Sequence, residues 1–200
     1  MAGILFAKFT KPTMRAETFI FSKNALISVR NGSLYLMVRI GDLRYVGLVK
    51  SRLRIVVFRQ THLLESHISG HIVKKRTTLE GEVIPYMIEK MEFGSHLDGS
   101  EEYLQLLWPM VVSHKIDSNS PLYNLNPRDI LDSQFEIILT LEGVTPETGN
   151  TIQVRSSYLP NEILWGYRFE QTCVAYDKKV AKYAVSFKTI NSIRPDRTPR

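Results

Sequence analysis

The dipeptide Asn31-Gly32, between two runs of alternating side chains, is the sequence feature that most constrains the fold. The runs read ALISVR and SLYLMVRIGDLR. A two-residue type I′ turn needs positive φ at both central residues, which Asn and Gly adopt at the least cost. We therefore predict a tight β-hairpin. Its second strand has two faces, with Leu34, Leu36, Val38 and Ile40 on the predicted core side and Tyr35, Met37 and Arg39 on the other.

Runs rich in β-branched and aromatic residues predict further strands at 71–74, 104–116, 135–141, 151–158 and 183–190. Turn-forming clusters such as SNSP, TPETGN and LPN separate them. Helical pieces are short: we predict one at 127–132, capped by Asn126, and one at 161–164. No 3.6-residue period persists for a dozen positions. The pattern predicts an all-β fold, a β-sandwich.

Length and composition indicate one domain with an ordinary core. The chain has 200 residues, of which 44% are hydrophobic and 23% are charged. Its single cysteine, Cys173, can form neither an internal disulfide nor a cysteine-based zinc site, and it indicates a reducing compartment. No run of 18 apolar residues is present. The apolar stub MAGILFAKF lacks the features of a signal peptide and resembles the end of something longer.

Charge is distributed unevenly along the chain. Residues 1–60 contain 11 basic and 2 acidic residues, a net charge of +9, whereas residues 61–200 contain 15 basic and 18 acidic residues, a net charge of −3. Nucleic acid is one partner for a basic protein, but a basic end beside an apolar stub favours an anionic membrane surface. Lys8, Lys11 and Arg15 would share roughly one face of a continuing helix. A solvated basic segment fits these charges equally well.

Motifs of enzymatic chemistry are missing from the sequence. It contains no G-x-S-x-G elbow, no P-loop, no G-x-G-x-x-G after a strand and no H-E-x-x-H. His67 and His71 would share one face of a strand with no evident third ligand, which favours a structural pair over a metal site. The segment beginning at Asp117 starts like a calcium loop, but Leu122 and Arg128 stand where Gly and Glu are needed. We predict no catalytic activity and no structural metal.

Six segments in a fixed order carry a family resemblance: FAKFTKPTMRAETFIFS, VRIGDLR, EGEVIP, IDSNSPLYNL, FEIILTLEGV and SSYLPNEILWGYRF. Together they closely resemble the cytoplasmic domain of inward-rectifier potassium channels, over nearly the whole chain. The resemblance implies an immunoglobulin-like β-sandwich of the E-set type at residues 10–200. Residues 1–9 would be the cytoplasmic end of the pore-lining second transmembrane helix.

The same resemblance implies how the protein works. It predicts a homo- or heterotetramer at the plasma membrane, with this region on the cytoplasmic side, potassium as the permeant ion and no nucleic-acid partner. We also place the protein in the broad class of voltage-gated channels. The alternative from another class is a β-sandwich interaction module that binds acidic membranes without a pore.

Basic residues are implied to bind the regulatory lipid phosphatidylinositol 4,5-bisphosphate. They are Lys8, Lys11, Arg15 and Arg44, which fall where the family binds this lipid. Thr13 and Met14 follow Pro12, where the family often has two further basic residues. This departure argues against high affinity for the lipid.

Acidic residues are implied to ring the cytoplasmic pore: Glu65, Glu142 and Asp98. In a tetramer each carboxylate is present four times, which concentrates potassium and holds the magnesium or polyamines that block outward flow. An exposed strand residue is the alternative for Glu65. The segment 142–149 resembles the loop that narrows this pore, where Gly143 and Gly149 would permit close approach of the backbones.

Asp42 and His62 match a sodium-sensitive site found in some members of the family. The alternative for Asp42 is a plain surface ion pair with Arg44.

Residues 45–59, YVGLVKSRLRIVVFR, interrupt the resemblance. Deleting them joins GDLR to QTHLLESHI without a break in frame, and both ends permit splice signals. We hypothesise a retained short intron, and a true loop insertion is the alternative. The hypothesis is favoured because IVVF at 55–58 would present apolar surface with no assigned partner.

Overall fold

The structure is a computed structural model that describes residues 18–43, 49–50, 64–95, 104, 106, 108–145, 149–170, 174–177 and 182–198. Only the backbone is described for residues 49–50, 64–65, 85, 174–177 and 182–185. No helix within these ranges is long and apolar enough to cross a membrane. The predicted transmembrane remnant, residues 1–9, lies outside them.

The described residues form mainly β-strands. In chain order the elements are β1 (Phe19–Phe21), β2 (Ala25–Arg30), β3 (Ser33–Asp42), β4 (Val49–Lys50), β5 (Leu64–Thr77), β6 (Val83–Met91), β7 (Met110–Ile116), α1 (Pro127–Asp132), β8 (Phe135–Val144), β9 (Thr151–Tyr158), a 3₁₀ helix (Pro160–Glu162), β10 (Ile163–Trp165), β11 (Tyr167–Phe169), β12 (Val174–Asp177), β13 (Lys182–Val185), a second 3₁₀ helix (Phe187–Thr189) and β14 (Ile193–Pro195).

Two larger sheets pack face to face. The first has the order β1-β3-β2-β10 with β7 on β3, and the second has the order β6-β5-β8-β9. The shared core contains Leu36, Val38 and Ile40 from β3 and Ile137 and Leu139 from β8. Two smaller sheets, β11-β14 and β12-β13-β4, complete the described fold. The predicted all-β sandwich is confirmed.

The predicted hairpin and its predicted core face are confirmed, and the opposite face of the second strand is buried as well. Asn31 and Gly32 have φ values of 46° and 77°, and Arg30 pairs with Ser33 across the turn. Both faces of β3 are buried, because Tyr35 and Met37 pack with Phe169 in a second apolar cluster. The C-terminal segment therefore covers the face for which alternation predicted no partner.

Several predicted strand limits need correction. The predicted strand at 104–116 begins only at Met110, because Pro109 has no N–H to donate to a ladder. Leu104 is buried without being in a strand: its N–H donates to the Ser66 carbonyl oxygen at 2.8 Å, and the Ser66 hydroxyl donates to the Leu104 carbonyl oxygen. The predicted strand at 183–190 ends at Val185 and continues as a 3₁₀ helix.

Strand β6 is a described element that the sequence pattern did not predict. It contains Pro85 and carries exposed apolar residues such as Tyr86 and Ile88. Its position at the edge of the sheet explains both features, since an edge strand tolerates proline and leaves one face in solvent.

The helical predictions are confirmed in part. Helix α1 has the predicted bounds, and the Asn126 side chain accepts from the N–H groups of Arg128 and Asp129 at 2.9 and 3.0 Å. The predicted helix at 161–164 is instead a 3₁₀ turn, Pro160–Glu162, followed by β10. Strand β10 forms because Ile163–Trp165 pairs in parallel with β2, a tertiary contact that local propensity does not report.

Part of the 45–59 segment has a backbone partner. Val49 and Lys50 form β4, which pairs antiparallel with Tyr183 and Lys182 of β13. This pairing weakens the physical argument for a retained intron, although residues 55–58 lie outside the described residues. The intron stays a hypothesis, and transcript reads joining the Arg44 codon directly to the Gln60 codon would establish it.

Candidate functional site

The outward face of the four-stranded sheet brings together the described acidic and histidine candidates. Along β5, Ser66, Ile68 and Gly70 are buried, while His67 and His71 between them are only partly buried. Along β8 the core residues alternate with Glu136, Ile138, Thr140 and Glu142, of which Thr140 is buried and the other three are partly buried. Side chains on directly paired residues share a face, so this surface lies opposite the core.

Glu142 sits at the centre of a row that crosses three strands. His67 of β5 and Gln153 of β9 are its directly paired neighbours. The Gln153 Nε2 donates to the Glu142 carboxylate, and the Arg155 guanidinium donates to Gln153 Oε1 at 2.5 Å. Glu142 is thus a half-buried carboxylate held in place by an amide.

The structure places Glu65 close to Glu142 along the backbone. Leu64 pairs with Val144 and His67 pairs with Glu142, so Glu65 lies between these pairs, where the register shifts. Both predicted acidic residues therefore belong to the same end of one sheet. The Glu65 side chain and all of Asp98 lie outside the described residues, so their roles stay predictions.

The predicted pore-narrowing segment begins as a strand. Gly143 is a buried residue of β8 paired with Ile152, and the turn starts only at Thr145. The turn is closed by hydrogen bonds from Thr145 N to Asn150 O at 2.9 Å and from Gly149 N to Thr145 O at 2.8 Å. Gly149 has a φ of 67°, a conformation that favours glycine.

Asp42 is buried rather than exposed. It ends β3 opposite Phe19 and has a relative exposure of 3%. This burial contradicts a surface position for Asp42, whereas its pairing with Arg44 stays an untested alternative. His62 and Arg44 lie outside the described residues, and so do the lipid-binding candidates Lys8, Lys11 and Arg15. The sodium and lipid assignments stay predictions.

Arg39 is an important residue that the sequence reasoning placed on a strand without assigning it a role. Its side chain is buried and donates to the carbonyl oxygens of Glu170 at 2.5 Å and of Thr189 and Ile190 at 3.2 Å each. The guanidinium also lies 4.5 Å from the centre of the Phe169 ring. Arg39 thereby connects β3 to the C-terminal segment by hydrogen bonds.

His114 is a second residue that was missed. Its Nδ1 lies 2.8 Å from the Glu92 carbonyl oxygen and its Nε2 lies 2.8 Å from Ser120 Oγ. A carbonyl only accepts, so Nδ1 carries the proton and Nε2 accepts from the serine hydroxyl. Burial lowers the pKa of His114. The neutral ring joins the end of β6 to the turn after β7.

The remaining polar candidates have structural contacts. Asp117 Oδ1 accepts from Asn119 N at 3.0 Å, which uses the carboxylate in a turn and explains the calcium-like pattern. Among the residues whose placement is described, no group of three or more His, Cys, Asp or Glu side chains could hold a metal ion.

The fold and this sheet face define an all-β domain with a carboxylate-bearing outer surface. Comparison with known proteins gives its family: the model of the inward rectifier potassium channel C-terminal domain matches residues 19–59 and 52–200. This chain belongs to that family. The two matched segments meet within residues 45–59, where the resemblance is interrupted.

Named relatives agree with the family. The chain is 40% identical over 199 residues to inward rectifier potassium channel irk-1 of Caenorhabditis elegans, covering 100% of this chain and 34% of that protein. It is 38% identical over 170 residues to ATP-sensitive inward rectifier potassium channel 12 of Mus musculus and of Bos taurus, covering 85% of this chain and 36% of each relative. The chain spans about a third of the length of these relatives.

The family corrects one assignment and agrees with another. Placement among voltage-gated channels is wrong, because the matching proteins are inward rectifiers. The absence of enzymatic activity agrees with a family whose named members are channels.

Proposed function

We propose that this chain is the cytoplasmic part of an inward-rectifier potassium channel subunit at the plasma membrane. Four copies, identical or mixed, would surround a common axis beneath the membrane pore, with potassium as the permeant ion. The outward face of β5, β8 and β9 would line the ion path. The observation that supports this most directly is the Glu142 carboxylate, held by Gln153 on a face away from the core.

The carboxylates on this outward sheet face would also explain inward rectification. Fourfold repetition turns each carboxylate into a ring of four, and a ring of negative charge in a narrow aqueous channel attracts multivalent cations. Magnesium and polyamines held there would obstruct outward potassium flow. The family match favours this channel role over the alternative of an interaction module without a pore.

Replacing Glu142 by glutamine is expected to weaken spermine binding by at least about tenfold. A carboxylate contributes about 1 kcal/mol to a cation 4 Å away even in water, and the substitution acts in every subunit. Isothermal titration of the full chain with spermine measures the effect.

Glu136→Gln is the matched control, because Glu136 lies on the same face of β8, where it pairs with Val73 at the other end of the strand. The control should leave spermine affinity near that of the wild type. Equal affinities of wild type and the Glu142 variant would contradict the proposed ring.

Lipid-dependent gating is the second part of the proposal. Lys8, Lys11, Arg15 and Arg44 would bind phosphatidylinositol 4,5-bisphosphate, and each basic residue near an anionic surface contributes roughly 1 kcal/mol. Neutralising all four to glutamine should reduce cosedimentation with phosphoinositide vesicles by at least about tenfold. Vesicles of neutral lipid serve as the control, and unchanged binding to the phosphoinositide vesicles would refute the assignment.

A further inference from the structure

The pairing of His67 with Glu142 places a histidine directly beside the carboxylate on the outward sheet face. The two residues are opposite each other in the antiparallel register of β5 and β8. Directly opposed residues have Cβ atoms about 4.5–5.5 Å apart and interact. Both side chains are only partly buried, so each remains accessible to water and ions.

The charged and titratable groups around this pair come from all four strands. On the same face, the described ones nearest to His67 and Glu142 are Arg155 of β9, His71 of β5 and Lys90 of β6, and those farther along the sheet are Glu136 of β8, Lys75 of β5 and Tyr86 of β6. Lys90 is paired with His71 rather than with His67, and Arg155 is hydrogen-bonded to Gln153. Glu142 is therefore the charged group paired directly with His67 among the described side chains.

Histidine is the side chain whose ordinary titration falls between pH 5 and pH 8, whereas carboxylates, lysine and arginine ordinarily keep their charge over that range. Protonation of an imidazole beside a carboxylate offsets the field that the carboxylate presents to a passing cation.

We propose that His67 is a proton-sensitive regulator of the Glu142 carboxylate. In acid, protonated His67 lowers the affinity of Glu142 for polyamines and divalent cations. The effect on ion passage rests on the proposed function, but the coupling within the pair does not. In a tetramer, acidification would place four positive charges beside the four carboxylates and weaken the block of outward flow.

The coupling is tested by following the carboxyl ¹³C resonance of Glu142 by NMR in the full chain from pH 5 to pH 8. The wild type should show an inflection in this range, and His67→Gln should abolish it. His71→Gln is the matched control, since His71 lies on the same face of β5 but pairs with Ile138. It should retain the inflection. No inflection in the wild type, or its retention in His67→Gln, overturns the proposal.

The consequence is tested with spermine at pH 7.5 and pH 5.5. Wild type and His71→Gln should bind about three- to tenfold more weakly at pH 5.5, while His67→Gln should bind nearly equally at both. Buried His114 is common to all three proteins, so its titration cancels in the comparison. An equal loss of affinity in His67→Gln overturns the regulatory role. The two proposals can fail separately. If Glu142→Gln binds spermine like the wild type, the proposed acidic ring is contradicted. If the Glu142 resonance of the wild type still shows the inflection that depends on His67, the coupling within the pair is supported all the same.

Discussion

Replacing Arg39 by leucine is expected to lower the free energy of unfolding by at least about 3 kcal/mol, because it removes a buried cation and the donors of three carbonyl groups. Those carbonyls belong to Glu170, Thr189 and Ile190, on segments far along the chain from β3. For a domain of this size the melting temperature should fall by about 6–12 °C. Urea unfolding followed by circular dichroism measures the change.

One further variant separates the geometry of Arg39 from its charge, and another serves as a control. Arg39→Lys keeps the charge but lacks the planar fork that reaches several carbonyls, so it should recover only part of the loss. Arg155→Leu removes an exposed arginine from another strand and should change stability by less than about 1 kcal/mol. Equal stabilities for Arg39→Leu and Arg155→Leu would show that the buried contacts contribute little.

Replacing Gly70 by alanine should destabilise the domain by about 2–3 kcal/mol through overpacking. A Cβ at this position would lie 2.5 Å from Cδ2 of Phe93 and 3.2 Å from Cδ2 of Leu139. Phe93 is 2% exposed, so its ring has no open space into which it could move. Gly70 is thus required by the approach of an aromatic ring to β5, and guanidinium unfolding checks the expected loss.

A second substitution tests this explanation. Phe93→Leu removes the ring atoms that a Cβ would meet, so Gly70→Ala should cost clearly less in a Phe93→Leu background than in the wild type. Ser69→Ala, at the neighbouring outward-facing position, is the control and should be nearly neutral. Strict additivity of the two core substitutions would contradict the proposed contact.

How much could be predicted from sequence depends on whether the signal is local. The Asn31-Gly32 turn, the Asn126 cap and strand β9 were predictable because each is specified by residues within a few positions. The register of His67 opposite Glu142 was not predictable, because the two lie 75 positions apart (142 − 67) and a shift of one position would put one of them on the other face.

The same contrast holds for burial. Alternation in β3 correctly predicted a core face, yet it could not reveal that Phe169 and the C-terminal segment cover the other one. For the same reason the sequence assigned Arg39 to the second face without showing that it is buried. A residue's exposure depends on which distant segment packs on it, and the local pattern carries little information about that segment.

The sequence alone determined an all-β chain with a tight hairpin, a basic N-terminal part and a mildly acidic remainder. Its motifs also indicated the family to which the chain belongs. Those properties follow from backbone preferences, composition and short patterns, all of which are local. Only the tertiary structure decided that Asp42 and Arg39 are buried, that Gly143 belongs to a strand, and that Glu142 lies in a row with His67 and Gln153. These features come from pairing between strands remote in sequence, where packing and hydrogen bonding outweigh local preference.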